Sequence, residues 1–144
     1  MDFAFHLRIY RLVVEVYQFL WTLDERDFSN DPLVPVYERV TNGPRRVGTV
    51  IREVVITQFV TMEILSEITE HIPYRSLGYR FHGSGMVGTL RYVFEPVDDG
   101  TALVQHVRIS FTGLRRILNP VLPLTYARRA KWRLQVIKRL LENP

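Results

Sequence analysis

Three consecutive runs between residues 68 and 111 alternate apolar and polar side chains with a period of two, and nothing else in the chain restricts the fold as much. Leu77, Tyr79 and Phe81 share one face of the first run. Leu90, Tyr92 and Phe94 share a face of the second, and Leu103, Val107, Ile109 and Phe111 a face of the third. The opposite faces carry Arg80, His82, Arg91, Glu95, His106 and Arg108. A period of two is that of a half-buried strand. Gly83-Ser84-Gly85 and Asp98-Asp99-Gly100 separate the runs, and residues of these types tolerate the positive φ of a tight hairpin. The reading is a three-strand antiparallel meander with one wet face and one aromatic-rich apolar face. That face has to be covered by the rest of the chain.

The flanking segments supply both strands and cover. Residues 3–10 alternate, with Phe3, Phe5, Leu7 and Ile9 on one side. From residue 12 to 23 the spacing turns helical, with a stripe of Leu12, Val16, Phe19 or Leu20, and Leu23. Neither Tyr10 nor Arg11 is a good N-cap for this helix. Residues 24–30 are polar and predict a second short helical turn before the bend at Asn30-Asp31-Pro32. Residues 33–40 read as a strand that Pro35 places at an edge or near its start. Residues 47–59 form a long β-branched run with two competing faces, Val50, Val54 and Ile56 against Ile51 and Val55. Met62, Ile64 and Ile68 mark the apolar side of the next strand.

After Phe111 comes a loop punctuated by Pro120 and Pro123, and then one helix over residues 124–142. Ala127, Ala130, Leu134, Ile137 and Leu141 form its inward stripe, and Lys131, Gln135, Lys138 and Glu142 are expected in water. Trp132, Val136 and Leu140 make a second apolar stripe, to be covered by loops or by a second copy in a homodimer. The expected class is α+β, in the order β-α-α-β-β-β-β-β-β-α. A curved seven-stranded antiparallel sheet wraps a long C-terminal helix, and the first strand pairs with the last. One domain over residues 1–144 is expected.

The bulk numbers exclude some chemistry. With no cysteine, thiolate catalysis and cysteine-ligated zinc are ruled out. The net charge of +4 raises nucleic acid as a partner, but six basic residues, Arg128, Arg129, Lys131, Arg133, Lys138 and Arg139, fall on the last helix. They read as a solvated face, and no nucleic-acid motif accompanies them. The N-terminus lacks a signal-peptide pattern and no run is long enough to span a bilayer, so a cytoplasmic protein without stable membrane insertion is expected.

Several short motifs, taken in order, resemble the START-like superfamily (SRPBCC) of polyketide cyclases, dehydrases and lipid-transport proteins. They are Val16-Tyr17-Gln18-Phe19-Leu20, Asp31-Pro32-Leu33-Val34, Gly48 opening the third strand, and Ile72-Pro73-Tyr74-Arg75-Ser76-Leu77 followed by Tyr79-Arg80-Phe81. Phe94-Glu95-Pro96 with Asp99-Gly100-Thr101 and the closing helix over 134–142 complete the set. Leu12-Val13 stand where that family usually has a proline, and Asn30 where it commonly has a tryptophan. The resemblance implies the helix-grip fold of the major birch-pollen allergen and lipid- or polyketide-like ligands.

Gly83-Ser84-Gly85-Met86-Val87-Gly88 matches the three-glycine spacing of a dinucleotide site. That site needs a helix directly after the glycines, whereas strand-like residues follow here, so no dinucleotide cofactor is expected. His6, His71, His82 and His106 have no zinc-like spacing, and no metal is expected. Glu53 is the one candidate acid for cyclase or dehydrase chemistry: if Ile51 and Val55 point inward, so does Glu53. Gln105 shares the parity of Leu103, Val107 and Ile109. As a buried amide it needs water, Tyr79, Tyr92 or a ligand as partner. A helix about 10 Å wide cannot cover seven strands about 4.8 Å apart. A hollow for a small hydrophobic or aromatic molecule is therefore expected beside it, lined by Tyr79, Phe81, Leu90, Tyr92, Phe94, Gln105, Val107 and Leu134.

Overall fold

The computed structural model describes residues 2–22, 36–56, 61–113 and 122–143, the last with side chains from Ala127. The strands are β1 (Asp2–Ile9), β2 (Val36–Arg39), β3 (Val50–Ile56), β4 (Thr61–Ile72), β5 (Ser76–Gly83), β6 (Met86–Val97) and β7 (Gly100–Phe111). Helix α1 (Val13–Trp21) follows β1, and helix α2 (Leu122–Glu142) follows β7. The strands form one antiparallel sheet in the order β1-β7-β6-β5-β4-β3-β2. The first strand thus pairs with the last, as short turns between the other neighbours require. The short helix expected at 24–30, the stripe residue Leu23, and the outer parts of the 33–40 and 47–59 runs lie outside the described residues.

Alternation places the meander as its pattern dictates. Leu77, Tyr79, Phe81, Tyr92, Phe94, Leu103, Val107 and Ile109 are buried, while Arg80, His82, Arg91, Glu95, His106 and Arg108 are exposed. The two faces of β3 are decided by its neighbour. Ile51, Glu53 and Val55 pair with Ser66, Ile64 and Met62, so their side chains join the inward side of β4. Val50 and Val54 are half-buried, and Ile56 is exposed. A register shift between Ile68 and Glu70 puts a bulge in β4, which bends a strand locally.

Two glycines permit backbones to approach closely. A Cβ on Gly88 would lie 2.6 Å from the Phe81 ring and 2.2 Å from the Arg108 carbonyl oxygen, so the ring of its cross-strand partner packs over bare backbone. A Cβ on Gly100 would meet the Ile9 carbonyl oxygen at 2.2 Å. The Asp98-Asp99-Gly100 turn therefore needs glycine for space; none of its residues has the positive φ expected from the sequence. That conformation belongs to the other hairpin, at Gly83, Ser84 and Gly85.

The outward arginines are paired across strands. Arg52 bridges Glu38 and Glu63 at 3.0 and 3.3 Å, Arg108 meets Asp2 at 3.0 Å, and Arg80 pairs with Glu67. Arg91 reaches past Gly78 to Glu70 at 2.7 Å. Such exposed pairs contribute little stability singly, roughly 0–1 kcal/mol, but they balance the charge on this face.

Helix α1 buries Val16, Tyr17, Phe19 and Leu20. Leu12, placed on the stripe from sequence, is 69 % exposed, because it stands one residue before the helix and Val13 takes the inward position. Leu12 stands at the N-cap without a side-chain acceptor, and the Glu15 carboxylate in the first turn accepts the Leu12 N–H at 3.1 Å.

Helix α2 buries Leu134 and Ile137 against the residues of α1 and the sheet. Its C-terminal end is clasped to the end of β1. Arg11 donates to the Leu141 and Glu142 carbonyls at 2.8 and 3.2 Å, filling two acceptors that a helix end leaves open. Lys138 donates to the Arg8 carbonyl at 2.7 Å, and Glu142 accepts the Tyr10 N–H at 3.0 Å. Lys138 and Glu142 are therefore not the wet residues expected from periodicity, since their long side chains reach round to the strand end. Trp132 and Leu140 are 44 % and 49 % exposed. No described helix is long and apolar enough to cross a membrane.

Arg11→Met keeps the aliphatic stem and removes both donors. Urea denaturation should show a loss of about 1–2 kcal/mol, against less than about 0.5 kcal/mol for a control at exposed Lys131.

Candidate functional site

The inward rows of β3, β4, β6 and β7 converge under the N-terminal half of α2. Two pockets lie there, each of about 50 Å³. Val55, Met62, Val107 and Ala130 wall the first, with Gln105 and Arg129. Leu20, Tyr37, Ser66, Tyr79 and Phe81 wall the second. Glu53, Ile64, Leu90, Tyr92 and Arg133 line both, and so form the partition between them.

Glu53 is the inward carboxylate, 8 % exposed. It forms an ion pair with Arg133 of α2 at 2.9 Å, and the Arg133 guanidinium lies 5.3 Å from the centre of the Tyr37 ring. Burial works against the charge on Arg133. The Glu53 carboxylate and the phenol oxygens of Tyr37 and Tyr92 together outweigh it and hold the guanidinium above its ordinary range. Burial also pushes the Tyr92 phenol up, partly offset by Arg133.

Gln105 is 3 % exposed and points inward, as its parity requires. Its Nε2 donates to the Tyr92 hydroxyl at 3.3 Å, while its Oε1 has no partner among the described residues. Tyr79 packs edge-on to Tyr92 with centroids 6.3 Å apart.

Of the residues expected to line a hollow, Tyr79, Phe81, Leu90, Tyr92, Gln105 and Val107 lie on these walls. Phe94 and Leu134 line neither pocket. Phe94 packs edge-on to Tyr17 of α1, and Leu134 is in the core. Sequence reasoning missed Arg133 and Arg129 by assigning the basic residues of α2 to a solvated face. The signal was present: Arg133 stands three residues after Ala130 and four before Ile137, on the inward side.

A separate cluster joins α1 to the sheet. The Tyr17 hydroxyl hydrogen-bonds to Nε2 of His71. Trp21 stacks on His71 at 3.9 Å, with Arg45 above the indole at 5.4 Å. Burial holds His71 below and Tyr17 above their ordinary values. His82 and His106 face outward as expected. Among the described residues no group of three or more His, Cys, Asp or Glu could hold a metal ion.

No family model matches the sequence, and no curated protein matches it. Solved structures do. An aromatase/cyclase from a Streptomyces species superposes with a TM-score of 0.82 at 13 % identity, over 99 % of this chain and 93 % of that one. A truncated norcoclaurine synthase from Thalictrum flavum gives 0.76 at 10 % identity, over 100 % and 94 %. The protein Ara h 8.0201 gives 0.74 at 18 % identity, over 99 % and 95 %. With the seven-stranded order and the closing helix, these likenesses decide the architecture. The chain has the helix-grip fold. The sequence resemblance to START-like proteins pointed to the same architecture, and the helix-grip arrangement is what brings Arg133 over Glu53.

Two outcomes test this geometry. Arg133→Met leaves the Glu53 charge without its partner. A fully buried pair broken this way costs about 3–5 kcal/mol. About 1–3 kcal/mol is expected here, because 24 % of the Arg133 side chain is open to water. Adding Glu53→Gln should restore most of the loss in a double-mutant cycle. For His71, the folded value lies below the unfolded one, so the unfolded chain binds the extra proton. Its contribution is therefore present above the unfolded value, about 6.5, and is lost as the pH falls through the lower folded value. Melting temperature between about pH 7 and pH 5 should fall less steeply in His71→Gln.

Proposed function

We propose that the protein binds a small hydrophobic or aromatic molecule between the sheet and α2. The observation that carries this reading is the composition of the wall. Apolar side chains from β3, β4, β6, β7 and α2 surround a few inward polar groups, Glu53, Tyr92, Gln105 and Arg133, which is the make-up of small-molecule sites. The helix-grip neighbours named for aromatase/cyclase and norcoclaurine synthase activity support a small organic ligand, and the sequence resemblance implies a lipid- or polyketide-like one. Burial of apolar surface supplies affinity, and Tyr79, Tyr92 and Gln105 supply orientation.

Size limits how the site loads. A pocket of about 50 Å³ accommodates a few waters, whereas a cavity that takes benzene measures about 150 Å³. Loading a ring therefore requires the partition to move. Leu90 is the apolar residue on it that is only half-buried, so it is the one with room to turn.

A second reading, cyclase- or dehydrase-type catalysis, is favoured by the inward Glu53 carboxylate. Glu53→Gln separates the two readings. Retained ligand binding with lost turnover of a polyketide-like substrate supports catalysis, and unchanged behaviour in both supports binding alone.

A panel of fatty acids, flavonoids, sterols and single-ring aromatics, followed by native mass spectrometry and melting temperature, tests the binding reading. At least one class should be retained and raise the melting temperature. No retained molecule and no shift would sink it. Leu90→Ala joins the pockets at a cost of about 2–3 kcal/mol, and should bind single-ring aromatics more tightly than the wild type.

A further inference from the structure

We propose that the pocket selects a neutral hydroxyl: its occupant is a phenol or an alcohol that donates its O–H to Oε1 of Gln105. This rests on the reading of the pocket as a ligand site, and names the chemistry of what enters it. Gln105 is held from both sides. Leu103 and Val107 fix its inward parity, and its Nε2 is committed to the Tyr92 hydroxyl at 3.3 Å. The other end of the amide, Oε1, has no partner among the described residues, and the side chain lines the first pocket. A buried acceptor left without a donor is costly, so the site favours whatever brings one. A water molecule can do so, since a pocket of about 50 Å³ with polar groups on its wall has room for one. A ligand hydroxyl reproduces the water's bond and places its apolar body against Val55, Met62, Ile64, Leu90 and Val107.

The same wall disfavours a carboxylic acid. The cation over the pocket, Arg133, is already paired with Glu53, and Arg129 is likewise engaged. A carboxylate on Arg133 competes with Glu53 and puts a second negative charge on a wall whose cation is already compensated. The free acceptor and the compensated cation together favour donors over anions.

Four probes that share a para-ethylphenyl body test this, the first two matched in size: 4-ethylphenol, 4-ethyltoluene, 4-ethylbenzaldehyde and 4-ethylbenzoate. Their dissociation constants are measured by ligand-observed NMR on the wild type and on Leu90→Ala, each with and without Gln105→Leu. The expected result is that 4-ethylphenol binds roughly tenfold tighter than 4-ethyltoluene, with 4-ethylbenzoate weakest. That preference should fall to about one in Gln105→Leu, which keeps the volume and removes the acceptor. Equal binding of phenol and toluene leaves the ligand site standing and overturns the hydroxyl preference, with water then the only partner of Oε1. Tightest binding of the aldehyde or the benzoate overturns it too. If no probe binds either background, the hydroxyl preference is overturned, while the ligand-site reading falls only if the wider panel of fatty acids, flavonoids and sterols is not retained either. The phenol-to-toluene ratio in the parent proteins decides the matter even where Gln105→Leu does not fold.

Discussion

One helix has to cover the apolar face of a seven-stranded sheet, and how it is held down governs the rest of the structure. The C-terminal end of α2 is fixed by Arg11, Lys138 and Glu142 to the end of β1, and its middle by Leu134 and Ile137 in the core. Its stretch from Arg129 to Arg133 contributes Arg129, Ala130 and Arg133 to the pocket walls. The helix is anchored by hydrogen bonds and apolar burial at one end. Along the pocket it is tied to the sheet through a charge pair.

That charge pair is unlike the other ion pairs described. Those of the outer face sit in water and compensate one another across the sheet. The Glu53–Arg133 pair spans sheet and helix in a partly dry setting, where desolvation opposes it and mutual attraction sustains it. An isosteric apolar pair would fill the same space at no electrostatic cost. Its retention is physically intelligible if the wall has to present polar groups to something that enters. The Gln105 carbonyl on the same wall, without a partner among the described residues, has the same sense.

The sheet was legible before any coordinates, because a period of two leaves only one way to bury Leu77, Tyr79, Phe81, Tyr92, Phe94, Leu103 and Val107 together. So was the inward position of Gln105, which inherits the parity of its neighbours. The β3 run was ambiguous for the opposite reason: apolar residues stand on both of its faces, and only pairing with β4 selects Ile51, Glu53 and Val55. Leu12 misled because periodicity cannot say where a helix begins, and it stands at the N-cap itself, its N–H held by Glu15. Lys138 and Arg133 misled because side-chain type was allowed to outweigh position on the helix; long cationic side chains lie along apolar surface and carry their charge to a distant partner.

The linear order of residues determined the element sequence, the antiparallel sheet and the identity of its buried face, since these follow from local periodicity and short turns. Only the tertiary structure decided that Glu53 meets Arg133, that Arg11 closes the last helix, and that two small pockets among the described residues share a wall of Glu53, Ile64, Leu90, Tyr92 and Arg133. Those depend on the docking of segments 80 or more residues apart. How far a side chain reaches across such a junction is a matter of distance in space, which spacing along the chain does not encode.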